Sequence, residues 1–422
     1  MNHFDLQGGE LACEDVRLAH IAEAVGTPVY VYSSATLERH FTVLRDALRD
    51  AGLGEPLIAY AVKANSNVAV LRTLAKLGAG ADTVSEGEIR RALAAGVPPE
   101  RIIFSGVGKT AGEIGFALQA GVAEINVESE PELKLIDHVA QELGVRAAVA
   151  LRINPDVNAG AHDKISTGRA DSKFGIAMAD AERLYALTAS SAGLSPVGVA
   201  CHIGSQISDL ASIEEAALKM RGLVERLRAA GLSVRRLDLG GGLGVPYFNM
   251  PEPPSPAEYA GVIARATKGL QVEFAFEPGR MITANAGVLV ASVIHVNVRP
   301  DGRRFLVLDA AMNDLLRPAM YEAYHDIRPV RPREGARVAY DVVGPICETG
   351  DTFTRDRALP PLEAGDLIAF MTAGAYGAAM ASEYNSRRLV PEVLVKCGEF
   401  AVVRPRETYD DMLARERPAP WL

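Results

Sequence analysis

Eight short apolar runs alternate with longer helical patterns between residues 57 and 279, and this alternation limits the fold more than any other feature of the sequence. Runs rich in β-branched and aromatic residues, separated by helical patterns, are typical of parallel strands joined by helices. Eight such βα units predict a closed, TIM-like (β/α)8 barrel. The runs are "LIAYAVKA", "ADTVS", "RIIFSG", "EINVES", "RAAVALRIN", "VGVACHIGSQ", "RRLDLGG" and "VEFAFEPG".

The pattern changes after residue 280, where runs such as "GVLVASVIHVNV" and "EVLVKCGEFAVV" alternate apolar and polar residues without a long amphipathic helix between them. This pattern predicts a separate β domain of the sandwich or barrel type. The opening segment, with "TPVYVYS", is too short to fold alone, so we expect it to add a strand or two to that domain. We therefore assign residues 36–279 to the barrel, and residues 1–35 and 280–422 to the β domain.

One connection inside the predicted barrel is unusually long. The polar stretch "NPDVNAGAHDKISTGRADSKFG" covers residues 154–175. Loops of this length in a compact domain are often functional, so this segment is a candidate lid.

The charge balance argues against two classes of partner. The chain has 53 acidic and 44 basic residues, a formal net charge of −9, and no basic stretch stands out. Because nucleic acids and anionic membranes attract basic surfaces, we expect neither as a partner. The first residues lack the basic and apolar regions of a signal peptide, and no run approaches the ~18 apolar residues that span a bilayer. We therefore expect a cytoplasmic protein.

Four cysteines are scattered along the chain without a C-x-x-C pair. This spacing predicts neither a zinc site nor a disulfide framework, so we expect no bound metal. The cysteines are Cys13, Cys201, Cys347 and Cys397.

Polar residues follow several of the predicted strands at the ends where such barrels carry their chemistry. Lys63 ends the first strand, His202 the sixth, and Glu277 with Arg280 the eighth. The seventh strand ends in the triple glycine 240–242, whose backbone N–H groups no side chain covers. Loops after the seventh and eighth strands often hold a phosphate group.

Each of these residues alone has a plainer explanation: a solvated lysine at a strand end, a buried histidine in the core, and a glutamate paired with its neighbouring arginine. Together they are what pyridoxal 5′-phosphate requires. A lysine forms a Schiff base with this cofactor, a glycine loop holds its phosphate, and a carboxylate keeps its ring nitrogen protonated.

Seven motifs occur in order over nearly the whole chain: "YAVKAN", "HIGSQ", "DLGGGLG", "EPGR", "LRPAMY", "GPICETGD" and "GAYG". Together they resemble the motif series of the diaminopimelate decarboxylases. That family belongs to the pyridoxal-phosphate enzymes with an alanine-racemase-like barrel. Any one motif is weak, whereas seven in register are specific.

The resemblance implies that Lys63 carries the cofactor as a Schiff base, that His202 stacks on the ring and that Glu277 pairs with the ring nitrogen. Asp82 and Arg152 resemble residues that line the cofactor, although such residues at a barrel rim are often structural ion pairs. The residues implied in cofactor binding are Lys63, Asp82, Arg152, His202, Ser205, Gly240, Gly241, Gly242, Glu277, Pro278, Gly279, Arg280 and Tyr376.

The resemblance also implies the substrate, meso-2,6-diaminopimelate, which loses the carboxylate of its D-configured end to give L-lysine. Cys347 resembles the acid that returns a proton to the α-carbon, and it is implied to reach the partner subunit's barrel in a two-fold dimer. The residues implied to bind the far end of the substrate are Arg280, Arg317, Tyr321, Glu348 and Tyr376.

Three alternatives remain on the sequence alone. A decarboxylase of ornithine, arginine or a carboxylated polyamine precursor would have no distal carboxylate for Arg317 to bind. An amino-acid racemase would have little use for the "CETGD" stretch. A non-catalytic protein on the same scaffold would usually have lost Lys63 or Glu277, both of which are present.

Overall fold

The computed structural model describes residues 2–158, 167–168, 172–248 and 252–422. The chain forms two compact units. The first comprises Met1–Leu37, Tyr247–Met250 and Thr283–Leu422, and the second comprises Glu38–Pro246 and Pro251–Ile282.

The N-terminal segment supplies four strands and one helix to the first unit. They are β1 (Phe4–Gln7), β2 (Glu10–Cys13), β3 (Val16–Arg17), α1 (Leu18–Val25) and β4 (Val29–Ser33). The first three strands pair only with one another in the described structure, as a small antiparallel sheet. The fourth, formed by the predicted "VYVYS" run, joins the large sheet of the β domain.

The second unit contains the eight predicted barrel strands and one additional two-residue strand. In chain order they are β5 (Leu57–Ala61), β6 (Gly80–Thr83), β7 (Ile102–Phe104), β8 (Glu124–Val127), β9 (Ala147–Asn154), β10 (Ile176–Ala177), β11 (Leu194–Ala200), β12 (Arg236–Asp238) and β13 (Glu273–Phe276). All pairs are parallel, and the ring closes because β13 pairs with β5 and β8 pairs with β9. The predicted (β/α)8 barrel is confirmed.

Helices connect the barrel strands. They are α2 (Ser34–Asp50), α3 (Val68–Ala75), α4 (Glu86–Ala94), α5 (Ala111–Ala120), α6 (Glu130–Glu142), α7 (Ala181–Ser190), α8 (Leu210–Ala229), α9 (Pro256–Ala266) and the short α10 (Arg280–Thr283).

Local sequence explains where several of these helices begin. Thr110 and Glu113 form a capping box at the start of α5, in which each side chain accepts a hydrogen bond from the other's backbone N–H. Ser255 and Glu258 repeat the arrangement at α9, with Pro256 as the first helical residue. Such caps satisfy backbone donors that have no partner inside the helix, and they fix the point at which the chain leaves the strand-end loop.

The β domain continues from the end of the barrel. Its elements are β14 (Gly287–Val298), β15 (Arg304–Leu308), α11 (Arg317–Tyr321), β16 (Ile327–Pro329), β17 (Val338–Val343), β18 (Thr352–Leu359), β19 (Leu367–Phe370), β20 (Glu392–Lys396), β21 (Glu399–Arg404) and α12 (Tyr409–Leu413). The large sheet runs in the order β18-β17-β15-β14-β4-β20-β21, with β19 pairing to β14 and β16 to β19.

The long strand β14 organises this sheet. Its first half pairs with β4 and with β19, and its second half pairs with β15. Val288 and Val290 are fully buried in a core that also includes Val29 and Val31 of β4 and Val393 of β20. The buried apolar run in the first half of β14 therefore coincides with the part of the strand that is paired on both edges, with β4 on one side and β19 on the other.

Two sequence predictions can be compared only with the residues that the structure describes. Of the candidate lid over residues 154–175, residues 159–166 and 169–171 lie outside the described residues, so its role stays a prediction. Among the residues that are described, no helix is both long and apolar enough to cross a membrane.

Candidate active site

Lys63 lies in a single helical turn directly after β5 and faces the neighbouring strand β6. Its Nζ is 2.8 Å from Oδ2 of Asp82, whose side chain is fully buried, whereas the lysine side chain is 40% exposed. Burial raises the pKa of Asp82, but the charge and hydrogen bond of Lys63 outweigh it, so the net shift of this pKa is downward. Lys63 is therefore the partner of a buried carboxylate and not a solvated strand flank.

Glu277 follows β13 and lies among other carboxyl groups. Nδ2 of Asn126, in β8, donates to its Oε1 at 3.1 Å. Burial, then the charges of Asp238 and Asp82, raise the pKa of Glu277 well above its usual value. Burial likewise raises the pKa of Asp238 to about 7. This end of the barrel therefore holds an excess of acidic groups, and a cation placed among them would be stabilised.

His202 lies just beyond β11 and is neutral. The backbone N–H of Gly241 donates to its Nδ1 at 3.2 Å, so this nitrogen is unprotonated and any ring proton is on Nε2. Burial, with the positive charges of Arg152 and Lys63, lowers the pKa of His202 to about 3. The side chain is thus a flat, uncharged ring, fixed by the glycine loop that follows β12.

The triple glycine allows three loops to pack backbone against backbone. A Cβ on Gly241 would lie 2.2 Å from the carbonyl oxygen of Glu277, and a Cβ on Gly242 would lie 2.4 Å from that of Gly204. Gly240 and Gly242 also have positive φ angles of 65° and 112°. Side chains are therefore excluded for steric reasons. The backbone N–H of Gly240 donates to Oδ1 of Asp238 at 2.7 Å, as that of Gly241 does to His202.

The remaining residues after β13 join this cluster. Nε and a terminal nitrogen of Arg280 both donate to Oγ of Ser205, at 3.2 and 3.1 Å. The carbonyl oxygen of Pro278 accepts from the backbone N–H of Ala61 at 3.0 Å. Gly279 lies between Pro278 and Arg280, and its carbonyl oxygen accepts from the backbone N–H of Ile282 in the short helix α10. The loops after β5, β11 and β13 are thus tied together.

Arg152, near the end of β9, forms an ion pair. A terminal nitrogen lies 2.8 Å from Oε1 of Glu128, and both side chains are largely buried, at 12% and 2% exposed. The other carboxylate oxygen of Glu128 accepts from the backbone N–H of Gly175 at 3.1 Å. The guanidinium also lies over the ring of Phe174 at 5.1 Å. This pair holds the chain on the C-terminal side of the long loop.

Arg317 begins α11 in the β domain and is 6% exposed. A terminal nitrogen donates to Nε2 of His325 at 2.8 Å, and Nδ1 of that ring then donates to the carbonyl oxygen of Met371 at 2.9 Å. The guanidinium lies 5.1 Å from the centre of the Tyr247 ring. Tyr321, the last residue of α11, is partly buried. The orientation of Arg317 is therefore set by two aromatic side chains.

Cys347 and Glu348 lie in an exposed turn between β17 and β18. The two carboxylate oxygens of buried Asp351 accept from the backbone N–H groups of Met312 and Ile346, each at 2.7 Å. The backbone N–H of Cys347 donates to Oδ1 of Asn385 at 3.0 Å. The turn is thus fixed from inside by one carboxylate.

Tyr376 completes the predicted set in this domain. Tyr384, which was not predicted, lies beside Glu348, and a hydrogen bond to that residue raises the pKa of Tyr384. Tyr376 has a left-handed backbone, with φ of 56°, and it precedes Gly377, where a Cβ would lie 2.6 Å from the hydroxyl of Tyr30.

The structure brings the barrel residues of the predicted site to one mouth and places the others in the β domain. Sequence reasoning missed several polar partners. Asp238 ends β12 and Asn126 lies within β8, so a polar residue near the C-terminal end of a buried strand was the available signal. Glu128 directly follows β8 and carried the same signal, whereas His325 and Asn385 belong to no barrel strand and carried none.

The chain resembles known proteins over its full length. The family described as pyridoxal-dependent decarboxylase, pyridoxal binding domain, matches residues 34–284. A diaminopimelate decarboxylase of Zymomonas mobilis is 51% identical over 99% of each chain. The diaminopimelate decarboxylase of Helicobacter pylori, solved with L-lysine, has a TM-score of 0.90 at 43% identity and covers 94% of this chain and 98% of its own. That of M. jannaschii, also solved with L-lysine, has a TM-score of 0.94 at 37% identity over 100% of both chains.

Proposed function

This chain belongs to the diaminopimelate decarboxylase family, and from that membership we propose that it converts meso-2,6-diaminopimelate into L-lysine and carbon dioxide, the last step of lysine biosynthesis. The cofactor is pyridoxal 5′-phosphate. The observation that carries the proposal is the convergence of Lys63, His202, Glu277 and the triple glycine at one mouth of a closed barrel.

The residues at this mouth fit the cofactor. A protonated ring nitrogen would offset the mutual repulsion of three acidic groups, those of Glu277, Asp238 and Asp82. Oδ2 of Asp238 is buried and has no hydrogen-bond partner among the described residues. The glycine loop has no room for side chains, so a phosphate can approach its backbone closely.

When bound, the cofactor withdraws electrons from the α-carbon as the carboxyl group leaves. Lys63 holds the cofactor covalently, and Glu277 holds a proton on the ring nitrogen. Neutral His202 packs on the ring without competing for that proton, because its own pKa is depressed to about 3. Asp82 and Arg152 line the same space.

The phosphate is held by the loops that the glycines bring together. The proposed donors are the backbone N–H groups of Gly242, Gly279 and Arg280 and the hydroxyls of Ser205 and Tyr376. Gly240, Gly241 and Pro278 shape the loops that carry these donors. The hydrogen bonds from Arg280 to Ser205 support this assignment, because they orient the serine hydroxyl within the cluster.

The far end of the substrate carries one carboxylate and one ammonium group. Arg280 and Arg317 suit the carboxylate, together with the hydroxyls of Tyr321 and Tyr376, and Glu348 suits the ammonium. Cys347 returns a proton to the α-carbon. The buried position of Arg317, fixed by His325, supports a role in orienting a substrate.

This distal carboxylate separates the proposal from its main alternative. Ornithine, arginine and carboxylated polyamine precursors do not offer a second carboxylate to Arg317. Arg317 is a buried guanidinium held against His325 and Tyr247. A planar fork of this kind suits a carboxylate, which favours diaminopimelate.

Two further expectations from the sequence stay predictions. We propose a two-fold dimer in which Cys347 and Glu348 enter the partner's site, since the exposed turn that carries them is available for such a contact. We also place the reaction in the cytoplasm.

The test is release of carbon dioxide from meso-diaminopimelate, measured beside ornithine, arginine and lysine. We expect turnover only with diaminopimelate, and none from Lys63→Ala, which should also lack the visible absorbance of the cofactor–lysine bond. Lys76→Ala, a change in an exposed helix end of the same unit, is the control and should behave as wild type. Activity of Lys63→Ala near wild type would refute the cofactor assignment.

A further inference from the structure

A polar cavity of about 270 Å³ lies within the β domain, apart from the residues assigned to the reaction. Two consecutive arginines, Arg387 and Arg388, line it together with Arg406, which follows β21. Two carboxylates, Asp309 and Asp314, line it as well. A single water occupies about 30 Å³ in the liquid, so the cavity has room for a small ligand.

The three arginines lack acidic partners. Within the part of the chain that the structure describes, none of them forms an ion pair. Arg387 donates to the carbonyl oxygen of Asp309 at 3.3 Å, and Arg406 donates to that of Pro28 at 2.9 Å. The guanidinium of Arg388 lies over the ring of Tyr409 at 4.7 Å. Most guanidinium donors around the cavity are therefore left for another acceptor.

The two carboxylates of the cavity are engaged by uncharged donors. The hydroxyl of Thr27 donates to Asp309 at 2.6 Å, and the backbone N–H of Ala311 donates to Asp314 at 2.9 Å. Burial raises the pKa of Asp314 to about 7, so part of its negative charge is absent at neutral pH. Three guanidinium groups thus face two carboxylates, one of them only partly ionised, and the cavity has an excess of positive charge.

The arginines also repel one another. Burial and the charge of Arg388 lower the pKa of Arg406, and the charges of Asp309 and Asp314 raise it in part. An anion bound between Arg388 and Arg406 would offset their mutual repulsion.

We propose that this cavity binds an oxyanion of the phosphate class, as inorganic phosphate or as the terminal group of a small phosphate monoester. The planar forks of the arginines match the oxygens of such an anion in two-point hydrogen bonds. A dianion also balances the charge excess better than a single carboxylate does. The site goes beyond the proposed reaction, because none of the three arginines has a role in it.

Calorimetric titration of the holoenzyme tests the proposal. The cofactor stays bound, as monitored by its absorbance, so that its own phosphate occupies the barrel site. Inorganic phosphate and glycerol 2-phosphate are titrated separately in a buffer free of phosphate and sulfate, with chloride at matched ionic strength as the reference. We expect saturable binding of at least one of the two, and the pair of titrations distinguishes a free anion from an ester.

Arg388→Gln and Arg406→Gln should each weaken this binding by about tenfold or more, equivalent to ~1.4 kcal/mol. Arg388 is the safer site, since its ring contact is at the surface, and circular dichroism checks the fold of both variants. Arg331→Gln is the matched control, because it removes the same charge from an exposed position in the same domain. It should bind as wild type.

Three results would overturn the proposal: no saturable binding to the wild-type holoenzyme, equal affinity in wild type and Arg388→Gln, or an equal loss in Arg331→Gln. Native mass spectrometry adds a fourth. If the two cavity variants lose subunit association instead of anion affinity, the arginines belong to a contact between chains.

Discussion

At the scale of single residues, the acidic end of the barrel defines what the site can hold. Glu277, Asp238 and Asp82 raise one another's cost of ionisation, and Lys63 pairs with only one of them. A cation placed beside a glutamate with a raised pKa favours its ionised form. The charge state of Glu277 therefore depends on the group that is bound there.

Replacing Glu277 by glutamine tests this dependence. An amide cannot hold a proton on the ring nitrogen, so we expect kcat to fall by roughly 100-fold or more while the cofactor remains bound. Stopped-flow kinetics and the cofactor absorbance measure the two effects. Glu273→Gln changes an exposed residue at the opposite end of the same strand and should leave kcat unchanged. An unaltered rate in Glu277→Gln would contradict its assigned role.

The charge of Arg317 is assigned to one contact, the one with the distal carboxylate of the substrate. Arg317→Ala removes a charge-assisted contact to the distal carboxylate, worth about 1.5 to 3 kcal/mol, so we expect KM for diaminopimelate to rise by roughly 10- to 100-fold. The cofactor absorbance should not change. Arg328→Ala, an exposed change in the same domain, is the control. If Arg317→Ala instead releases the cofactor, its placement at the substrate is wrong.

At the scale of elements, the sequence predicts structure that depends on neighbouring residues and misses structure that depends on distant contacts. The barrel strands depend on neighbouring residues, so a reading of periodicity found them. The capping boxes at α5 and α9 are equally local, and their residues lie three positions apart. The small sheet of β1 to β3 was not predicted, because "FDLQGGELACEDVR" has no sustained alternation and Leu6 is 60% exposed.

The same distinction applies to the site. Lys63 and Glu277 were found because each ends a strand inside a quoted motif. The pairing of Asn126 with Glu277 was not found, since this hydrogen bond joins residues 151 positions apart. Pairing of this kind is fixed only when the barrel closes.

The glycine loop after β12 offers a test at this scale. Gly241→Ala would place a Cβ 2.2 Å from a backbone carbonyl that cannot move alone, so we expect a loss of stability of about 1 to 3 kcal/mol and weaker cofactor binding. Thermal unfolding and cofactor titration measure both. Gly112→Ala, in α5 with open space around its Cα, is the control and should stabilise the protein by about 0.4 to 1 kcal/mol. Wild-type behaviour of Gly241→Ala would show that the loop can shift.

At the scale of the whole molecule, the proposed dimer requires each site to combine Lys63 of one chain with Cys347 of the other. Inactive Lys63→Ala and Cys347→Ala chains, mixed and allowed to exchange, would form mixed dimers with one intact site. On random pairing about a quarter of wild-type activity should return. Native mass spectrometry verifies the exchange. If exchange occurs and activity does not return, Cys347 acts within its own chain or has no part in the chemistry.

The position of β4 in the large sheet also sets an order of events during synthesis. This strand lies between β14 and β20, and the hydroxyl of Tyr32 donates to Glu392, 360 residues further along the chain. All eight barrel strands leave the ribosome between β4 and its two neighbours. The barrel can therefore assemble on a growing chain, whereas β4 waits for both of its neighbours: one edge stays unpaired until β14 is made, and the other until β20 is made about 100 residues later.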